Sequence, residues 1–264
     1  MRLPWLGPSN LVDLPIDRSK KGIAGGTAEQ VKAVSASWSY EWRLGIVDPN
    51  RFALGIGHVP MIWGKDYVPA NVKIAVRRNI GKPFLIWNEP EAPSTWGQSS
   101  ISPAEAAKLY GLLRILIHGV DPTSRLIVGG VYFIDLRWAA MFASEYKKLH
   151  GLLPKVEGWH VHHYADSKNY DCIEWRSSLR RYYEGIQRIF GGVAEFWITE
   201  FGSIVDYRTA ERVMKEQVPW LQEQEWVTRY AWYSPTSPKM LNQGRLFDTE
   251  GGITKLGMIY RNMP

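Results

Sequence analysis

Two segments, PFLIWNE at residues 83–89 and EFWITEFG at residues 195–202, carry the strongest indication of the fold. In each, a run of apolar and aromatic residues leads to a glutamate near its end. Runs of this length and composition are typical of strands that are buried on both faces, as in a parallel sheet. Glutamate is disfavoured in such surroundings, so the positions of Glu89 and Glu200 require a physical reason.

Apolar runs of the same kind recur along the chain and alternate with longer amphipathic runs. This alternation is typical of parallel strands that are joined by helices. Eight strands are predicted, at residues 21–25, 35–42, 58–64, 83–89, 125–133, 158–164, 195–201 and 227–234. The chain has 264 residues, close to the roughly 250 of one TIM barrel. We therefore predict an α/β fold, a single (β/α)₈ catalytic domain over residues 1–264, in which residues 1–20 are an N-terminal extension.

Helix start and stop signals separate most of the predicted strands. Thr27, Ser102 and Asp171 each stand three residues before a Gln or Glu, which is the spacing of a capping box. Glycines lie where the later helices are expected to end, at Gly119, Gly151 and Gly191. Residues 43–57 are too short and too rich in Gly and Pro for a full helix, so a loop or one short turn is expected. An open doubly wound sheet stays an alternative, although no G-x-G-x-x-G pattern follows an early strand.

The composition narrows the classes of function. The chain contains 13 Trp, 13 Tyr and 8 Phe, and Trp stacks well on the apolar faces of sugar rings. This favours a carbohydrate ligand, although core packing explains any single Trp better. The formal net charge is +6, but the basic residues are scattered over predicted helices and no recognition motif accompanies them. A nucleic-acid partner is therefore not expected.

Nothing in the sequence indicates a membrane protein or a disulfide scaffold. The single cysteine, Cys172, excludes an intrachain disulfide and a cysteine-based metal site. No apolar run reaches the length of a membrane span, and residues 1–20 contain no signal-peptide core. We expect a soluble monomer with no membrane partner; if the native protein is secreted, its leader has been removed from this chain.

The two strand-ending glutamates are the candidate catalytic residues. Barrel enzymes place their catalytic groups at the C-terminal ends of the strands, and Glu89 and Glu200 end the fourth and seventh predicted strands. A glycosidic bond is cleaved by such a pair, because one carboxylic acid protonates the leaving oxygen while the other carboxylate attacks or activates water. A structural ion pair explains one such glutamate equally well, but two favour a site. A carboxyl separation of about 5–5.5 Å would predict retention and a wider one inversion, and the sequence leaves this distance open.

Six motifs, taken in chain order, resemble those of glycoside hydrolase family 128, which acts on β-1,3-glucans. They are SWSYEW (37–42), VPMIWG (59–64), WNEPE (87–91), HHY (162–164), WITEF (197–201) and RYAWY (229–233). This family belongs to clan A, the retaining (β/α)₈ glycosidases. The resemblance implies that Glu89 is the acid/base and Glu200 the nucleophile. Two departures are visible, since Glu91 stands where the family has Asp and Glu41 where it has Asn. Glu41 adds a carboxylate near the site and leaves the exact substrate open.

The resemblance also implies supporting roles for other residues. Asn88 would bind the sugar 2-hydroxyl, Tyr164 would donate to the nucleophile, and Trp232 would be a platform under the sugar. Further candidates for substrate contact are Trp38, Tyr40, Trp42, Trp63, Trp96 and His162, and packing explains each of these Trp residues equally well. His160 and His162 have the spacing of a zinc site, but no third ligand is evident. We expect no metal and no cofactor, and we interpret His160 as a core histidine.

The expected function is a retaining endo-β-1,3-glucanase that binds an oligo- or polysaccharide substrate. Three alternatives stay open at this point. The first is another clan A activity, on β-1,4-glucan, xylan or mannan. The second is a non-catalytic β-glucan-binding protein. The third, suggested by the positive charge alone, is a nucleic-acid-binding protein.

Overall fold

The computed structural model describes residues 20–45, 50–167, 169–233 and 244–264. Nine strands lie within them: β1 (Lys21–Ala24), β2 (Trp38–Tyr40), β3 (Gly57–His58), β4 (Met61–Ile62), β5 (Pro83–Ile86), β6 (Arg125–Val131), β7 (Gly158–Ala165), β8 (Glu195–Ser203) and β9 (Arg229–Tyr233). The helices are α1 (Ala28–Ala33), α2 (Asn50–Ala53), α3 (Pro69–Arg78), α4 (Pro103–His118), α5 (Leu136–His150), α6 (Cys172–Phe190), α7 (Tyr207–Glu223) and α8 (Lys255–Arg261). The predicted N-terminal extension, except Lys20, and the last residue of the eighth predicted strand, Ser234, lie outside the described residues.

The strands form one parallel sheet in the order β3-β2-β1-β9-β8-β7-β6-β5-β4. The two edges of this order, β3 and β4, are separated in the chain only by Val59 and Pro60. The Val59 N–H donates to Ser39 of β2 at 3.1 Å, and the Pro60 carbonyl accepts from Leu85 of β5 at 3.0 Å. Proline has no N–H, so the ladder is interrupted at this point. β3 and β4 are therefore two halves of the third predicted strand, and the sheet curls into a barrel of eight strand positions, as predicted.

The barrel has two apolar layers, and each uses one face of the strands. The inner layer fills the barrel with Ala24, Trp38, Tyr40, Val59, Met61, Leu85, Ile127, Trp197 and Ala231. The outer layer lies between the sheet and the helices, where Trp87 packs against Tyr110, Trp138 and Phe142. Burial of both faces is the physical reason for the continuous apolar runs in the sequence.

The predicted helix signals are confirmed. Thr27 and Ser102 form complete capping boxes, and the Asp171 side chain accepts the N–H groups at the start of α6. The three predicted end glycines, Gly119, Gly151 and Gly191, are the C-caps of α4, α5 and α6. The described part of residues 43–57 contains one helix, the single-turn α2, and ends at Gly57, the first residue of β3. No helix of the described residues is long and apolar enough to span a bilayer.

Candidate active site

Glu89 reaches the mouth of the barrel because the backbone after β5 turns through left-handed conformations. Leu85 points into the barrel, and regular alternation would direct Trp87 inward as well. Instead Trp87 has φ 72° and joins the outer layer, and Glu89 has φ 45°. Such conformations cost about 1–3 kcal/mol each in a non-glycine residue and persist where the surroundings enforce them. As a result, neighbouring side chains of Asn88 and Glu89 both face the cleft.

The adjacent strand β6 is shaped to accept this turn. Gly130 has φ 66°, and a Cβ at this position would lie 2.7 Å from the Trp87 carbonyl oxygen. The Glu89 N–H donates to the Gly130 carbonyl at 2.8 Å. Only glycine permits this conformation and this close approach without strain, so β6 locks the backbone of Glu89.

Glu200 is aimed at the mouth by a β-bulge in β8. Pairing with β7 runs from Val161 opposite Ile198 directly to His162 opposite Glu200, which leaves Thr199 unpaired. Trp197 faces the barrel interior, so strict alternation would turn Glu200 outward toward the helices. The extra residue reverses the alternation, and bulges commonly redirect side chains in this way beside active sites.

Glu200 is only 3% exposed, and its carboxylate is surrounded by hydrogen-bond donors. Its Oε1 accepts from Tyr40 at 2.7 Å and from the Trp42 indole at 2.8 Å, and its Oε2 accepts from Tyr164. Burial and the charge of Glu200 raise the pKa of both tyrosines well above the usual value. The phenols therefore stay protonated, and three neutral donors stabilise negative charge on Glu200.

His162 lies between the two glutamates. Its Nδ1 is 2.8 Å from Glu89 Oε1, and its Nε2 is 3.4 Å from Glu200 Oε1. Burial lowers the pKa of His162, but the nearby charges of Glu200 and Glu89 outweigh burial, and the pKa is raised above its usual value. In its protonated form the ring donates from Nδ1 to Glu89, while its Nε2 lies near Glu200 without forming a hydrogen bond, so the positive charge is close to both carboxylates.

Glu89, His162 and Glu200 are also the group of residues in the described chain that could hold a metal ion. One ligand atom from each lies within 4.8 Å of the others. However, the oxygens of Glu200 already accept three hydrogen bonds, so their lone pairs are directed at donors and not at a common centre. The hydrogen bonds around Glu200 therefore suit a carboxylate that reacts with an organic substrate better than one that binds a metal ion.

His160 is a core histidine, as predicted. Its Nδ1 is 2.9 Å from the Thr199 hydroxyl and its Nε2 is 3.2 Å from the Ile86 carbonyl. The side chain is fully buried, and this burial lowers its pKa to about 3. The ring is therefore neutral. It links the bulge in β8, which directs Glu200, to β5, which leads to Glu89.

An open cleft of about 560 Å³ lies above the two glutamates. This volume is in the range of small-ligand sites. Seven predicted site residues line it: Trp42, Trp63, Asn88, Glu89, Trp96, Tyr164 and Glu200. The sequence-based reasoning missed several others: Gln98, Tyr132, Ile204 and Tyr233. Tyr233 could have been found from alternation along the last strand, because it shares the inner face with Ala231.

The structure does not bring Trp38 and Trp232 to the cleft, which corrects two of the expected substrate contacts. Trp38 lies two positions below Tyr40 on the inner face of β2, where it is fully buried and donates to the Lys20 carbonyl at 3.0 Å. Trp232 lies on the outer face of β9, packs against Phe201 and donates to the Gly244 carbonyl at 2.9 Å. Tyr40 and His162 are also buried, and they act on the glutamates from beneath the cleft.

Glu41 does not present a free carboxylate to the cleft, although the sequence suggested one near the site. It forms a salt bridge of 2.5 Å with Arg51 of α2, whose side chain is 0% exposed. Arg51 also donates to the Ser39 hydroxyl. Glu41 stands between Tyr40 and Trp42, so this buried ion pair anchors the segment that supplies two of the three donors to Glu200.

Glu91, the other departure from the family pattern, fixes the loop after β6. Its Oε1 accepts the N–H groups of Tyr132 and Phe133. Burial raises the pKa of Glu91 to about 7, against the effect of these hydrogen bonds. The side chain therefore joins the Glu89 segment to an aromatic loop at the rim of the cleft.

Two glutamates face each other across the mouth of the (β/α)₈ barrel, under a cleft lined by aromatic residues, and this arrangement is typical of barrel glycoside hydrolases. The chain belongs to the family described as the Glycosyl hydrolase catalytic core, whose family model matches residues 22–260. No curated protein matches the chain.

Solved structures of glycoside hydrolase family 128 share the fold. A subgroup I endo-β-1,3-glucanase from Amycolatopsis mediterranei, in complex with laminaripentaose, is 21% identical, with 93% of this chain and 99% of that chain covered and a TM-score of 0.71. A subgroup III curdlan-specific exo-β-1,3-glucanase from Blastomyces gilchristii is 23% identical, with 92% and 98% covered and a TM-score of 0.72. A subgroup VII oligosaccharide-binding protein from Trichoderma gamsii is 16% identical, with 93% of each chain covered and a TM-score of 0.69. At these identities the likeness establishes the fold alone.

Proposed function

We propose that this protein is a retaining endo-β-1,3-glucanase in which Glu200 is the nucleophile and Glu89 the general acid/base. The observation that carries the proposal is the unequal surroundings of the two carboxylates. Among the residues that the structure describes, Glu200 accepts three hydrogen bonds from neutral donors, whereas Glu89 has one hydrogen-bonding side-chain partner, His162. The nucleophile must be ionised and the acid must carry a proton, and this asymmetry supports that division.

The distance between the carboxylates supports retention. An oxygen of Glu89 lies within 4.8 Å of an oxygen of Glu200. Inverting enzymes need room for a water molecule, and their carboxyl groups stand about 6.5–9.5 Å apart, against about 5–5.5 Å in retaining enzymes. The short separation favours direct attack by Glu200 on the sugar.

The reaction then proceeds in two displacements. A Glu200 oxygen attacks the anomeric carbon, the glycosidic C–O bond breaks, and the proton of Glu89 passes to the leaving oxygen. His162 stabilises the charge that this transfer leaves on Glu89. Glu89 next removes a proton from water, whose oxygen attacks the anomeric carbon and releases Glu200. Asn88, which lines the cleft beside Glu89, is the proposed contact for the sugar 2-hydroxyl.

Three Trp side chains, together with the similar fold of two β-1,3-glucanases, support the substrate class. Trp42, Trp63 and Trp96 line the cleft, and indole faces stack on the C–H faces of pyranose rings. We propose an internal mode of cleavage, which releases oligosaccharides of several lengths and not only glucose. No metal or cofactor takes part in the proposed reaction.

Incubation with laminarin, curdlan, cellulose, xylan and mannan tests the proposal. We expect reducing ends from the two β-1,3-glucans, mixed oligosaccharide products, and the β anomer as the first product seen by NMR. Glu200→Gln is expected to abolish this activity, and Glu223→Gln, at an exposed residue at the end of α7, serves as the matched control. A folded protein that releases nothing from any of these polymers would refute the proposed activity. Release from a different polymer would refute the substrate class.

The second candidate function is non-catalytic β-glucan binding. The oligosaccharide-binding protein from Trichoderma gamsii, which has a similar fold, favours this alternative. It predicts that laminari-oligosaccharides bind while no reducing ends appear after long incubation. The expected monomeric state stays a prediction, which light scattering after size exclusion would check.

A further inference from the structure

A second cavity adjoins the catalytic cleft, and Trp96 is the wall between the two. This side cavity, lined by Trp96, Phe133, Ile134, Asp135, Arg137 and further residues, has a volume of about 600 Å³. The catalytic cleft has a similar volume, about 560 Å³, and Trp96 lines both spaces. A ligand that leaves the cleft on this side would therefore cross the Trp96 indole and enter the side cavity.

Aromatic side chains form a continuous surface across this boundary. The Trp96 ring centroid is 6.1 Å from that of Tyr132, which lines the cleft, and 5.8 Å from that of Phe133, which lines the side cavity. Trp96 is 54% exposed and Phe133 is 42% exposed. Large aromatic surfaces that are exposed together at the rim of a site commonly mark a binding surface.

The polar edge of the side cavity also suits a sugar. Asp135 and Arg137 form an ion pair at the start of α5, and the Arg137 side chain is 87% exposed. A pyranose ring presents an apolar face together with hydroxyl groups that both donate and accept hydrogen bonds. The aromatic side chains can contact the apolar face of the ring, and the carboxylate and guanidinium beside them can form hydrogen bonds with its hydroxyl groups.

Glu91 links the aromatic residues of this surface to the catalytic centre. It stands two residues after Glu89, and its Oε1 accepts the N–H groups of Tyr132 and Phe133. The loop that carries both aromatic residues is thereby tied to the segment that carries the general acid/base.

We propose that the side cavity is a subsite for further glucosyl units of a chain whose reacting part lies in the catalytic cleft. The glucan would cross Trp96 and stack on Phe133. This inference rests on the proposed glucanase function, and it predicts that long oligosaccharides gain affinity that short ones do not.

The test compares oligosaccharides of increasing length. The ratio kcat/KM is measured from laminaritriose to laminariheptaose for the wild type, Phe133→Ala and Arg137→Ala. Affinities for the same series are measured by calorimetry in the Glu200→Gln background. Ile115→Ala is the control, because Ile115 is an exposed apolar residue on the outer face of α4. We expect Phe133→Ala to lower kcat/KM and affinity for the longest oligosaccharides roughly tenfold more than for the shortest one cleaved.

Three outcomes are distinguishable. A loss that grows with oligosaccharide length in Phe133→Ala and Arg137→Ala, but not in Ile115→Ala, supports the subsite. An equal loss at every length, or no loss, in a wild type that cleaves the series overturns the subsite and leaves the proposed function standing. A wild type that neither cleaves nor binds any member refutes the proposed function, and the subsite is refuted with it.

Discussion

The surroundings of Glu89 and of Glu200 differ although both residues lie at the same mouth. Glu200 accepts hydrogen bonds from Tyr40 at the end of β2, from Trp42 just after this strand, and from Tyr164 of β7. Glu89 is held by its own backbone turn and bonds to His162. Donors from outside the strand stabilise negative charge on Glu200, and Glu89 does not have a comparable set of donors among the described residues. This difference in partners supports the different roles proposed for the two glutamates.

The largest expected effect comes from removing either carboxylate. Glu200→Ala and Glu89→Ala should each lower kcat roughly 10⁴-fold or more, because the group that attacks or protonates is lost. Azide distinguishes the two roles. Rescue of Glu200→Ala should yield the α-glycosyl azide, because azide attacks from the face that Glu200 occupied, whereas rescue of Glu89→Ala should yield the β-azide. NMR of the products checks this, and the same anomer from both variants would contradict the assignment.

The next effect concerns the anchor of the segment that supplies donors to Glu200. Arg51→Met leaves Glu41 buried without its partner and should lower the free energy of unfolding by about 3–5 kcal/mol. The double variant Arg51→Met/Glu41→Gln removes both charges and should recover most of this loss. Denaturant unfolding of the two variants measures the difference, and equal losses would show that the ion pair is not the cause.

His162 connects the two carboxylates, so its substitution should affect the pH dependence of both activity and stability. The pKa of His162 is raised in the folded protein, above about 6.5 in the unfolded chain. Its stabilising contribution is therefore complete below pH about 6.5 and is lost as the pH rises through the raised pKa. In His162→Gln the difference in unfolding free energy from the wild type should be larger at acidic than at alkaline pH.

Activity gives a second measurement of His162. We expect His162→Gln to lower kcat about 10²-fold and to remove an alkaline decline that follows deprotonation of the ring. His163→Gln is a matched control, because desolvation lowers the pKa of that half-buried histidine to about 3 and its ring bonds to the Trp175 carbonyl and to neither glutamate. An unchanged pH profile in His162→Gln would refute the role given to His162.

The smallest effect is expected from a single donor to Glu200. Tyr164→Phe keeps the ring but removes one hydrogen bond to Oε2, and should lower kcat roughly 10–100-fold. Tyr132→Phe, at another cleft residue beside Tyr164, is the control and should have a smaller effect. If the two variants lose equal activity, general disturbance of the cleft explains the loss better than the bond to Glu200.

Local patterns predicted most of the fold. The apolar runs marked every strand position, and the capping residues Thr27, Ser102 and Asp171 marked the helix starts. Strand ends were less predictable. The run at 83–89 reads as one strand, but β5 stops at Ile86 because Trp87 turns left-handed to join the outer layer. That conformation depends on Gly130 of β6, which is distant in sequence.

The candidate site was predictable only in part. Seven of its residues followed from strand ends or from the family resemblance, but Trp38 and Trp232 are buried away from the cleft. Alternation along a strand distinguishes its two faces, but it does not distinguish the mouth of the barrel from its interior. The Glu41–Arg51 pair was not predicted either, because Glu41 follows β2 and Arg51 lies in α2, and the two side chains meet only in the folded protein.

The sequence by itself determined the parallel barrel and the presence of a glutamate at the end of two of its strands, because both follow from the spacing of apolar residues along short segments. Only the tertiary structure decided that these glutamates face each other. The bulge at Thr199 turns Glu200 inward, and the close approach of Gly130 turns Glu89 toward the cleft. Both features arise from contacts between neighbouring strands, and such contacts do not exist until the sheet has formed.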